Sequence, residues 1–166
     1  MAGLYRGPII DAHIHLWDLG MDRHPWLRPT GGAIRALGDL APIRRNYLVD
    51  DYRRDATNQN VVASVHIEAA WDRADDPLAE IEWLETLDKS SGVAARYIGF
   101  ADLTAPDAGA ALDRLSEVKR CIGVRQSSAG IRPSQLDPSP RGRVSRTRNT
   151  SAAALRCSPA TTNSSN

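Results

Sequence analysis

The run Val61-Val62-Ala63-Ser64-Val65-His66-Ile67-Glu68 places the tightest limit on what this chain can fold into. It is β-branched and almost wholly apolar, and a strand of that kind belongs in a parallel sheet covered on both faces. Parallel neighbours need long crossovers, so helical segments are expected on either side of it. Upstream, Leu48 to about Asn60 reads as a short helix, capped by Asp50 or Asp51 and ended by Asn58-Gln59-Asn60. Downstream, Asp76-Pro77 fits a cap followed by a first helical position. Leu78, Ile81, Leu84 and Leu87 then recur at helical spacing, with Glu80 and Glu82 turned to water and Lys89 and Gly92 closing the segment. Arg96 to Ala101 is the next strand. Thr104-Ala105-Pro106-Asp107 caps a helix striped by Ala108, Ala111, Leu112, Leu115 and Val118, and Cys121 to Gln126 is a last short strand.

The first strand opens at Ile9-Ile10-Asp11-Ala12-His13-Ile14-His15-Leu16-Trp17. Successive strand side chains alternate faces, so His13 and His15 project to the same side and their rings can converge on one cation. Asp11 shares that parity and is placed to orient an imidazole from behind. The ordinary alternative is two histidines at a strand end, one hydrogen-bonded and one solvated. Between Trp17 and Tyr47 the density of Gly and Pro forbids a long regular element. A loop of that length usually works as a lid or binding loop. Trp17 and Trp26 either pack it over a pocket or anchor it to the domain. His24, which precedes Pro25, is either a ligand contact or a surface turn residue.

The expected fold class is therefore α/β, either doubly wound or the N-terminal half of a (β/α)8 TIM barrel. No Gly-x-Gly-x-x-Gly follows the first strand and there is no P-loop, which leaves little support for a nucleotide-binding sheet. Polar residues gather at the strand ends: His13 and His15, His66 and Glu68, Asp102, then Arg125 and Gln126. In a barrel the active site lies at that end.

The pattern stops at Ser127. The forty residues that follow hold nine Ser, six Arg, four Pro and four Thr, and no aromatic residue occurs after Phe100. Such a composition cannot offset the entropy of ordering, so residues 127–166 are expected to be a disordered Ser/Arg/Pro-rich tail of out-of-frame character, after a partial barrel domain at 1–126. The overall net charge of +1 conceals this division, the tail carrying +5 and the body −4. A basic tail without stacking residues gives no expectation of nucleic-acid binding. Two cysteines are too few for a disulfide framework, and no apolar run approaches a membrane span, so a cytoplasmic, membrane-free protein is expected. A full barrel takes about 250 residues. The chain is thus read as truncated, with self-association through exposed half-barrel edges as a consequence.

Four motifs together resemble the amidohydrolase-related family. They are Ile10-Asp11-Ala12-His13-Ile14-His15-Leu16-Trp17, His24-Pro25-Trp26-Leu27, Val65-His66-Ile67-Glu68-Ala69 and Gly123-Val124-Arg125-Gln126, in that order over residues 8–126. The resemblance is narrower still to its lactonase-like branch of TIM-barrel hydrolases. It implies a divalent metal, commonly zinc, held by His13 and His15, and hydrolysis of a cyclic ester or amide by an activated water. It also implies that Glu68 and Arg125 face a small, lactone-like substrate, with His66 either touching that substrate or filling the barrel. A planar guanidinium suits Arg125 to a substrate carboxylate, or else to an ion pair with Glu68. The family's remaining ligands and its Asp base, which come from later strands, have no counterpart here. No catalytic residue is therefore assigned, and metal binding is expected to be weak and activity low or absent. Two rivals stand beside this reading. One is a metal-independent lactonase or decarboxylase of the same superfamily completed by another chain; the other is a non-catalytic α/β binding module with a basic tail.

Overall fold

A computed structural model of the chain describes residues 5–29 and 38–126. Strands β1 (Ile9–Ile14), β2 (Val61–Ile67), β3 (Arg96–Phe100) and β4 (Cys121–Arg125) form one sheet in the order β1-β2-β3-β4. Every pairing is parallel. A doubly wound sheet would reverse its order after the first strands; these strands advance in one direction only. Helices α1 (Val49–Asp55), α2 (Ala79–Thr86) and α3 (Ala108–Glu117) make the crossovers. The α/β expectation holds, whereas the proposed tail at 127–166 lies outside the described residues.

The helices all pack on one face. Ile81 and Leu84 of α2, Leu115 of α3 and Tyr52 of α1 meet Tyr97 and Cys121 of the sheet in a continuous buried cluster. Burying an aliphatic side chain of this kind contributes about 1.5–3 kcal/mol, and this cluster is where the fold is held. Gly99 lets α2 pack closely, since a Cβ there would stand 2.9 Å from Ile81 Cδ1 and that side chain would have to shift. Among the described residues no helix is long and apolar enough to cross a membrane.

Several boundaries shift for physical reasons. Helix α1 ends at Asp55, short of Asn60, and its entry residue is Leu48; Asp51 caps from inside the first turn by accepting the Leu48 N–H at 3.0 Å. Asp76 lies one turn ahead of α2, accepting the Leu78 N–H at 2.8 Å. Gly92 has φ 76, and a side chain there would collide with the Val62 carbonyl.

A second correction concerns parity. Between β1 and β2, Asp11 pairs with Ser64 and Ile14 pairs with His66, so β1 carries one extra residue over that stretch. This bulge puts both Asp11 and Ile14 on the helix-covered face. His13 and His15 are turned to the opposite face, away from Asp11.

Candidate functional site

Residues directly paired in a parallel sheet point the same way, so register defines the uncovered face. Val65, Ile67, Ile98, Phe100 and Arg125 lie on it, as do the two histidines at the end of β1. The histidine rings do converge: their Nε2 atoms are 3.1 Å apart, with centroids at 4.9 Å. His15 Nδ1 donates to the Ile67 carbonyl at 2.8 Å, which leaves its Nε2 as the lone-pair nitrogen. Burial first, then the neighbouring His66, His13 and Arg125, lower the His15 pKa below its ordinary value, although the Ile67 carbonyl opposes this. The ring is therefore neutral at pH 7, the form in which imidazole binds metals.

Asp11 does not support either imidazole. Its Oδ1 accepts the His13 backbone N–H at 3.1 Å and its Oδ2 accepts the Tyr52 hydroxyl at 3.0 Å. The bulge that turned the histidines away is the reason.

Beside the pair, Glu68 is 1% exposed and both its oxygens are engaged. Arg125 donates from Nε to Oε1 at 2.9 Å and from Nη2 to the Glu68 carbonyl at 2.7 Å. Arg73 Nη2 and the Ala70 N–H donate to Oε2 at 2.7 and 3.0 Å. Burial pushes the Glu68 carboxyl up, but the two guanidiniums outweigh it and its pKa is lowered. Both arginines remain more than one-third exposed, with donors to spare, and Arg73 Cζ sits 3.5 Å over the Phe100 ring. A cleft of about 290 Å³ adjoins Arg73 and Phe100, walled by Trp71, Pro77, Asp102 and Ala111. Ala70 holds a left-handed φ of 53 to make its contact, which costs a non-glycine residue about 1–2 kcal/mol.

His66 faces the other way. It is fully buried under α2, its Nδ1 accepting the Leu16 N–H at 3.2 Å and its Nε2–H donating to Glu80 Oε1 at 3.1 Å. Both nitrogens are occupied, so the ring offers no edge to a substrate. Glu80, read as facing water, is instead buried and also accepts the Ala69 N–H at 2.7 Å. Asp102 and Gln126 bind one another at 2.9 Å and tie down the start of the loop after β3. Trp17 and Trp26 act as anchors, donating their indole N–H to the Arg45 carbonyl at 2.6 Å and to the Ala69 carbonyl at 2.8 Å. His24 is buried, contrary to a surface turn.

Sequence reasoning missed Arg73 and Glu80. Arg73 lies in a loop with no periodicity to place it, and Glu80 is one position from the apolar stripe of α2. A buried His two residues before Glu68 was the available hint that a carboxylate must meet it.

As a metal site the arrangement is partial. Two zinc-bound nitrogens at tetrahedral angles stand about 3.3 Å apart, close to the spacing seen here. A third ligand is missing: among the described residues no group of three or more His, Cys, Asp or Glu could hold an ion.

No family model matches the chain. It is 39% identical over 119 residues to the uncharacterized protein y4mH of Sinorhizobium fredii, covering 72% of this chain and 39% of that protein. It thus spans about two-fifths of the length of that curated relative. Among solved structures, it is similar to Amidohydrolase 2 from Bifidobacterium longum subsp. infantis at 22% identity and a TM-score of 0.41, over 58% of this chain and 33% of that one. An amidohydrolase from Burkholderia multivorans crystallised with bound HEPES is similar at 24% identity and a TM-score of 0.48, over 70% of this chain and 36% of that one.

Proposed function

We propose that this chain carries the first strands of an amidohydrolase-type (β/α)8 barrel, and that His13 and His15 are part of a divalent-metal site serving hydrolysis of a lactone or related cyclic ester or amide. One observation carries the reading. Two Nε2 atoms 3.1 Å apart, one fixed in tautomer by the Ile67 carbonyl, stand at the carboxyl end of the first strand of an in-order parallel sheet. The order of the four motifs supports it. Imidazole nitrogens suit zinc among the common divalent ions. A metal with an open position lowers the pKa of bound water to about 7 and makes it a nucleophile. With two ligands of the three that a catalytic zinc needs, no step of a reaction is assigned to the described residues.

What the chain's own groups contribute is substrate placement. The free edges of Arg125 and Arg73 fit a carboxylate or ring oxygen of the substrate, with Glu68 keeping both guanidiniums at fixed orientation. His66 positions the end of β1 by binding the Leu16 N–H. Self-association through the sheet edges at β1 and β4 belongs to the same proposal.

Isothermal titration of the full chain with Zn²⁺ or Co²⁺ tests the metal site. The expected result is weak binding that disappears in His13→Ala and in His15→Ala. Affinity unchanged from the unaltered chain in both variants would overturn it. Assay on sugar lactones and carboxylated lactones, with and without metal, tests the reaction; turnover unaffected by chelator and by His13→Ala would overturn the metal reading. The hydrogen bond between the two rings favours a second reading, a metal-independent lactonase in which the pair shares a proton. Chelator-resistant turnover lost in His15→Ala identifies it.

A further inference from the structure

His24 has no part in the site above, yet its placement is unusual. It is 2% exposed, and neither ring nitrogen has a hydrogen-bond partner among the described residues. Its ring stands edge-on to Trp71 at 5.3 Å and to Trp83 of α2 at 6.5 Å. Those two indoles are themselves 5.8 Å apart. A neutral imidazole fits such an aromatic seat, whereas an imidazolium there loses its hydration without gaining an acceptor.

Around His24, two segments are fastened to each other. The Asp72 N–H donates to the Arg23 carbonyl at 2.7 Å, Arg23 pairs with Asp75 at 3.0 Å, and the Trp26 indole donates to the Ala69 carbonyl. Trp71 is held in turn by Asp75, which accepts its indole N–H at 2.7 Å. The segment so fastened, residues 69–73, leads into Arg73 and hence to the clamp on Glu68.

We propose that His24 is an acid-operated latch: neutral, it seats residues 23–27 against Trp71 and Trp83; protonated, it leaves that seat and loosens the segment carrying Arg73. The charged groups facing it act in both directions. Glu80 of α2 and Asp18 of its own loop favour the imidazolium, and His66 of β2 opposes it; Asp22 and Arg28, which share a small cavity with it, are paired to each other. Glu80 Oε1 already accepts from His66 and from the Ala69 N–H, which holds that carboxylate in place. Burial prevails, and the His24 pKa is lowered from 6.5 to about 4. Because the folded value lies below the unfolded one, the latch is at full strength above pH 6.5 and weakens as pH falls towards 4. The proposal stands on this packing and is independent of the hydrolase reading.

Amide hydrogen exchange on the full chain tests it, with protection factors corrected for intrinsic rates. Between pH 7.5 and pH 5, protection at Leu27, Arg28 and Asp72 should fall by about thirtyfold, while Tyr97 and Leu115 in the core change far less. In His24→Phe the loss at the three loop amides should vanish. An undiminished loss in that variant would overturn the latch. Should that variant fail to fold, the ring nitrogen shifts of His24 in the unaltered chain decide instead. Titration well below pH 6 together with loop opening supports the proposal, and titration near 6.5 with unchanged protection overturns it.

Discussion

The two faces of this sheet are built from the same strands and behave as different kinds of surface. On the covered face, several polar groups are paired, the Tyr97 hydroxyl being an exception: Ser64 Oγ accepts the Ala94 N–H at 2.9 Å, His66 meets Glu80, and Asp11 meets Tyr52. Apolar groups there are sealed by α2 and α3. On the other face stand the converging histidines, Phe100 beneath Arg73, and Arg125, all with free edges. Ile10, near the start of β1, is 67% exposed. Stability is concentrated on one side and unspent binding capacity on the other. Substitutions should therefore separate stability from ligand binding cleanly.

The largest expected effect is on the covered face. Leu84→Ala or Leu115→Ala should cost about 2–5 kcal/mol in urea denaturation, while Ile10→Ser should stay within about 0.5 kcal/mol; similar costs on both faces would break the contrast. Next, Glu80→Ala should cost about 2–3 kcal/mol, since it strands the His66 Nε2–H and the Ala69 N–H without an acceptor. Its neighbour Glu82→Ala should be silent. Glu68 sharpens the contrast through pH. Its carboxyl is lowered from an ordinary 4.5, so its stabilisation is complete above that value and is lost as pH falls through the lower folded value. Unfolding midpoints measured from pH 6 down to pH 3 in the parent and in Glu68→Gln should converge at the acid end. Ala70→Gly should raise stability by up to about 1 kcal/mol by relieving its left-handed backbone. The smallest stability effect is expected at His13→Ala, within about 0.5 kcal/mol, although that variant should abolish metal binding. A large loss of stability there would mean that the pair is a structural element.

The sequence of elements was legible because each announces itself locally. The β-branched run at 61–67 and the stripes of Ile81, Leu84 and Leu115 are signals that tertiary structure had no reason to override. Convergence of His13 and His15 was legible from their spacing of two. The role of Asp11 was not, because strict alternation assumes an unbroken ladder, and the bulge between Asp11 and Ile14 is a property of β1 and β2 together. Glu80 and His24 were misplaced for a related reason. A glutamate beside an apolar stripe and a histidine before proline both default to solvent, and each is overruled by a partner from another element: His66 in the first case, the pair Trp71 and Trp83 in the second. Arg73 shows the limit from the other direction, since only the closed geometry around Glu68 gives that loop residue a task.

The extra residue in β1 has a consequence for how such a chain tolerates length changes. Removing Ala12 would restore even pairing with β2, with Asp11 still opposite Ser64 and Ile14 still opposite His66, and would leave both imidazoles on the uncovered face. The composition of the strand would be almost unchanged and its hydrophobicity the same. Whatever these rings hold should therefore survive loss of Ala12, and the bulge marks a point of β1 where length can change without a change of face.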